Sequence, residues 1–166
     1  MPSTRALYAS VATLSIIVAS GAACAADKAA SAKQIERGRY MIVTGHCNNC
    51  HTAGYAAKQG KVPEKEWLLG SGPLGYRGPW GTTYASNLRL TLKNMSEDQW
   101  VNYAKVFRAR GPMPFWSVNE TSDPDLRAMY QFIRQLGPVG EPAQAFVPPD
   151  KAPKPPYVSW PMPPRQ

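Results

Sequence analysis

The sequence predicts a small helical domain with an extended tail, gathered around one pentapeptide. Three observations carry this. Apolar residues recur at helical spacing in three segments: Ala29 to about Gly45, Ser96 to about Gly111, and Asp123 to about Leu136. The stretch between the first two, residues 52–92, is dense in Gly and Pro and reads mostly as loop. Ten of the 17 prolines fall after Gly137, where no periodic pattern survives. The pentapeptide, Cys47-Asn48-Asn49-Cys50-His51, follows the first helix.

The chain of 166 residues has room for one domain. Its start reads as a cleavable leader over residues 1–25. Arg5 is the positive end, Val11–Ala19 the apolar run, and Ala23-Cys24-Ala25 a small-residue cleavage site. The run is too short to span a bilayer, so a leader is favoured over an anchor. Lipoprotein processing at Cys24 is the alternative. Cleavage after Ala25 removes one Arg and no acid, so the formal charge falls from +8 to +7. It also leaves only Cys47 and Cys50, which excludes a disulfide scaffold. A basic, exported protein points to acidic protein partners rather than nucleic acid.

In the first helix Ile35, Tyr40 or Arg39, Ile42 and Val43 recur at helical spacing and Ser31 is the expected N-cap. Gly38 lies inside it, where glycine is unfavourable unless another helix approaches closely. Next comes C-x-x-C-H, the attachment pattern of a c-type haem. Two thiols at this spacing reach two vinyl groups on one side of a porphyrin, and His51 then lies under the ring as proximal iron ligand. A structural zinc site needs about four N or S ligands, and the chain offers few beyond the motif. A thioredoxin-like pair expects a preceding strand, whereas the stretch before Cys47 is helical.

The loop region holds Tyr55, Trp67, Leu68, Leu69, Trp80 and Tyr84, so it must fold against something apolar. Gly81–Tyr84 suits a short extended stretch. The second helix opens on a capping box of Ser96 and Gln99, with Glu97 and Asp98 at its positive end and Gly111 as a stop. The third opens on Asp123 as N-cap with Pro124 at the first turn, and Gly137-Pro138 ends it. Tyr130 is expected to meet Gly38. In the tail, Phe146, Val147, Tyr157, Val158, Trp160 and Met162 interrupt the prolines. Such residues either strap the tail across the domain or dock a partner.

A haem held on one face by His51 can be closed on the other by a second protein ligand or left open. Met113 stands out for that place. It sits in Gly111-Pro112-Met113-Pro114, a segment stiffened by its prolines. Met95 is the rival, Met129 belongs to a core stripe, and His46 is too close to Cys47 to reach the far face.

With these elements together the chain resembles the monohaem class I c-type cytochromes, over roughly residues 33–137. More narrowly, residues 81–87, Ser96–Arg108 and Met113-Pro114-Phe115 resemble the haem domains of cytochrome c subunits of alcohol and gluconate dehydrogenases. Those subunits usually carry three such domains, against one here. The resemblance implies an all-α class I fold around one haem c, a cytochrome domain over 26–137 and a tail over 138–166. It implies that Met113 is the second iron ligand, that residues 79–88 border the haem, and that Trp80, Arg77 and Asn87 face its propionates. The function expected is periplasmic electron transfer between ferric and ferrous states without catalysis by the chain itself. Lys58, Lys61 and Lys65 would steer an acidic redox partner towards the ring edge near Cys50. The alternatives are a dedicated dehydrogenase subunit and a ligand-binding or catalytic haem.

Overall fold

A computed structural model describes residues 19–161, with side chains from Ser31 onward. Most of the expected leader, and Met162, lie outside the described residues. The chain divides into two units, Met1–Ala32 and Lys33–Gln166, and the second carries the core. The helices of the described chain are α1 (Ala19–Thr44), α2 (Cys47–His51), α3 (Leu88–Thr91), α4 (Glu97–Val106), α5 (Phe115–Asn119) and α6 (Asp123–Leu136). A 3-10 turn covers Glu64–Glu66.

Ser31 is interior to α1 rather than its N-cap. The alanine-rich stretch before it has high helix propensity and carries the helix back to Ala19. α4 opens on Ser96 with the full capping box, as the sequence predicts. α6 is capped by Ser122, whose hydroxyl accepts from the Asp125 N–H, so the cap lies one residue before Asp123. Asp125 is instead free to take a hydrogen bond from the Arg37 guanidinium on α1, 2.7 Å away. Gly137 ends α6 with φ 74°, the conformation that favours glycine at this position. α4 ends at Val106, well before Gly111.

The core gathers Ile42 of α1, Trp67 and Leu68 of the loop, Leu92, Trp100, Val101 and Ala104 of α4, and Leu126, Met129, Phe132 and Ile133 of α6. α1 crosses α6 at Gly38, but Tyr130 is not its partner. A Cβ on Gly38 would strike the Ala128 carbonyl and come within 2.9 Å of Phe132 Cβ. The glycine thus meets the α6 backbone at Ala128 and the base of the Phe132 side chain. Tyr130 turns away and donates its hydroxyl to the Met95 carbonyl at 2.9 Å.

The domain is not purely all-α. β1 (Gly75–Gly78) and β2 (Gly81–Thr83) form an antiparallel hairpin around Pro79-Trp80, and β3 (Tyr157–Ser159) pairs in parallel with β1. The order is β2-β1-β3. Strands of three or four residues are too short for alternation to register in the sequence. The tail straps the hairpin on both edges. Val147 exchanges two backbone hydrogen bonds with Thr82 outside β2, and Trp160 N–H bonds the Arg77 carbonyl at 2.7 Å beyond β1. No helix among the described residues is long and apolar enough to cross a membrane.

Candidate haem centre

α2 is set by the break that precedes it. His46 adopts a left-handed φ of 59°, which ends α1 and redirects the chain. In the short helix that follows, positions i, i+3 and i+4 share a face. Cys47, Cys50 and His51 are those positions. Asn48 and Thr52 take the opposite, inward face and are buried. Thr52 Oγ1 donates to Asn48 Oδ1 at 2.7 Å and accepts from the Leu68 N–H at 2.8 Å. The motif is therefore an amphipathic turn, with its reactive groups on one side and an internal hydrogen-bond chain on the other.

His51 is 7% exposed, and its Nδ1 lies 2.8 Å from the Ser86 carbonyl. A carbonyl only accepts, so Nδ1 carries the proton and Nε2 keeps its lone pair. Burial lowers the His51 pKa, against the smaller opposing effect of the Ser86 carbonyl, so the ring is neutral. Neutral imidazole with an oriented outer nitrogen is the form that binds a metal.

Cys47 and Cys50 are both free thiols. Burial pushes Cys47 up to about 11, the reverse of an activated redox-pair nucleophile. Tyr76 lines one cavity with Cys50, and burial, with a smaller effect of that thiol, pushes its phenol pKa up. The cavity measures about 210 Å³, and its lining also includes Thr52, Ala53 and Leu74. Among the described residues no group of three or more His, Cys, Asp or Glu is placed to hold a metal, which leaves no zinc cluster around the two thiols. Of the attachment and ligand residues only Cys50 lines this hollow, so what fits a covalently bound haem is the side-chain set itself: two unbonded thiols and one oriented imidazole on one short helix.

The other expected residues fall into two places. Met113 lies in the turn between α4 and α5, its carbonyl accepting from the Phe115 N–H at 2.9 Å. That turn is tied to β2 by the Thr83 hydroxyl, which donates to the Gly111 carbonyl at 2.8 Å. Trp80 lies between two glycines. A Cβ on Gly111 would sit 2.6 Å from Trp80 Cε3, and one on Gly78 would sit 2.5 Å from Cη2. Its indole N–H is directed to the Tyr76 carbonyl at 3.3 Å. The Arg77 guanidinium stands over the Tyr157 ring at 5.9 Å. Asn87 caps α3 through Oδ1 and donates its amide to the Val139 carbonyl at 2.8 Å, so its polar atoms are engaged by the protein.

Three residues beyond the sequence reading shape the site. Ser86 acts through its backbone, which leaves no side-chain signal. Thr52 stands four residues after Asn48, a spacing that marks a buried polar pair once α2 is known to be helical. Tyr76 joins Cys50 at the cavity only because β1 brings it there.

The chain is similar to the cytochrome c subunit of quinone alcohol dehydrogenase. It is 30% identical to that subunit of Gluconobacter oxydans over 129 residues, 69% of this chain and 26% of the relative. It is 31% identical over 121 residues to the subunits of Gluconacetobacter polyoxogenes and Komagataeibacter europaeus, covering 64% of this chain and 25% of each relative. The chain thus spans about a quarter of the length of the curated relatives it matches. No family model and no solved structure matches.

Proposed function

We propose that the chain is an exported, periplasmic electron-transfer protein carrying one haem c, joined through Cys47 and Cys50 and bound at iron by His51 and Met113. The observation that carries the reading is the face of α2. It presents both thiols beside an imidazole whose Nδ1 proton is committed to Ser86. When bound, the haem supplies one-electron ferric–ferrous chemistry. The chain's own residues hold it, exclude water and keep the ligand set constant. Ser86 fixes the His51 ring, so the ligand does not rotate during turnover. The buried Asn48–Thr52 pair anchors α2 to the loop at Leu68. Among the residues expected at the propionates, Arg77 is the one whose side-chain donors make no protein hydrogen bond among the described residues.

The test is spectroscopic. The purified protein is expected to retain haem after denaturation, and Cys47→Ser with Cys50→Ser together to abolish that retention. The ferric protein should show the far-red charge-transfer band of sulfur-to-iron ligation, lost in Met113→Ala. A haem retained without that band in the unaltered protein would favour an open iron position instead.

The names of the relatives favour a second reading, a haem subunit of a periplasmic dehydrogenase complex. Co-purification of a large quinoprotein with the tagged chain supports it, and a chain that elutes alone from its native extract opposes it.

A further inference from the structure

We infer that Trp160, in the proline-rich tail, is a positioning residue for the turn that bears Met113. The inference rests on the ligand reading of Met113. Three contacts carry it. The parallel pairing of β3 with β1 sets the tail's register, and the Trp160 N–H to Arg77 carbonyl bond fixes the backbone at the indole. The indole then packs on Trp80 and on Tyr76, each with ring centroids 6.1 Å apart. Trp80 in turn fills the slot between Gly78 and Gly111, two residues before Met113. Tyr76 lines the same cavity as Cys50. One tail side chain thus backs both the segment leading to Met113 and a residue that shares a cavity with the second thiol.

A separate tail contact acts on the same turn. The Arg110 guanidinium stands 4.2 Å from the centroid of the Phe146 ring. Phe146 is placed by the Val147 bridge to Thr82, and Gly81, at φ 101°, leaves room for it. The tail therefore grips residues 110–111 from both edges of the hairpin. A thioether binds iron weakly, so its occupancy depends on how well the chain restricts the sulfur. Loosening the grip leaves the covalent attachment and His51 untouched and lowers the fraction of molecules with sulfur bound.

The experiment compares Trp160→Ala, Trp160→Phe, Tyr157→Ala and Met113→Ala in the full-length, haem-loaded ferric protein, with cyanide as the competing iron ligand. The apparent cyanide affinity rises in proportion to the fraction of iron left open. Trp160→Ala is expected to bind cyanide about tenfold more tightly than the unaltered protein and to show a weaker far-red band. Trp160→Phe should restore most of both, because a ring still meets Trp80. Tyr157→Ala should match the unaltered protein, since its ring meets Arg77 and not Trp80. Unchanged cyanide affinity and band in Trp160→Ala, with both altered in Met113→Ala, would overturn the positioning role alone. Equal loosening by Tyr157→Ala would also overturn it, because loss of β3 would then suffice. No effect of Met113→Ala would instead overturn the ligand reading. If Trp160→Ala carries no haem, Trp160→Phe against Tyr157→Ala decides on the same readouts.

Discussion

Asn48, inside the C-x-x-C-H motif, and Thr52, just after it, are held by each other rather than by any group outside the chain. Asn48 is 1% exposed, and its Oδ1 is satisfied only through Thr52. Thr52 also accepts from Leu68, a residue held at φ 63°. Replacing the hydroxyl by a methyl removes one partner from each of two buried polar groups. Thr52→Val is therefore expected to cost about 1–3 kcal/mol. Thr52→Ser, which keeps the oxygen, should stay close to the parent. Urea unfolding followed by tryptophan fluorescence measures both. A neutral result for Thr52→Val would mean that water replaces the hydroxyl.

At the scale of elements, α6 is held at its carboxyl end by a buried cation. Arg89 donates to the carbonyls of Gly137, Leu136 and Lys65. Burial lowers its pKa, and no carboxylate among the described residues pairs with it. The carbonyl end of the α6 dipole supplies the missing negative charge. Arg89→Ala leaves three carbonyls short of a donor and is expected to destabilise by about 3 kcal/mol. Arg89→Lys should recover part of this, because an ammonium cannot reach three divergent acceptors. Thermal unfolding of both variants checks the order. A ranking with lysine below alanine would show that burying the charge costs more than the bonds return. The legibility of such elements follows from range. α4 was readable because Ser96 and Gln99 bond across three residues, and the face of α6 because Leu126, Met129 and Ile133 repeat along one helix. Arg89 was not, because its acceptors lie 24 to 48 positions away. The same holds for Tyr76 and Cys50, which a strand brings together. Gly38 falls between these cases. A glycine inside a helix announces a close approach but not the partners, which are the Ala128 backbone and Phe132.

Across the whole molecule the charge is +8, and Lys58, Lys61 and Lys65 stand exposed soon after the motif. Glu64 is half-buried and paired with Arg39, and Glu66 is exposed beside Lys65. Reversing Lys58, Lys61 and Lys65 to Glu should slow oxidation of the haem-loaded protein by the anionic oxidant ferricyanide about tenfold at low salt. The difference should fade at high ionic strength, where exposed charges are screened. Stopped-flow rates over a salt series measure it. Equal slopes for both proteins would place the port for electrons on another face.

The third strand has a consequence in time. β1 finds its parallel partner only at Tyr157–Ser159, about 80 residues further along, a closure that costs entropy before it returns any contact. A chain made from its amino end offers both cysteines, His51 and the Met113 turn long before that partner exists. Until then one edge of β1 is unpaired and Tyr76 and Trp80 lack the indole that backs them. The sheet is thus incomplete until residues 157–159 have been made, and Tyr76, which lines the hollow beside Cys50, gains its backing indole only then.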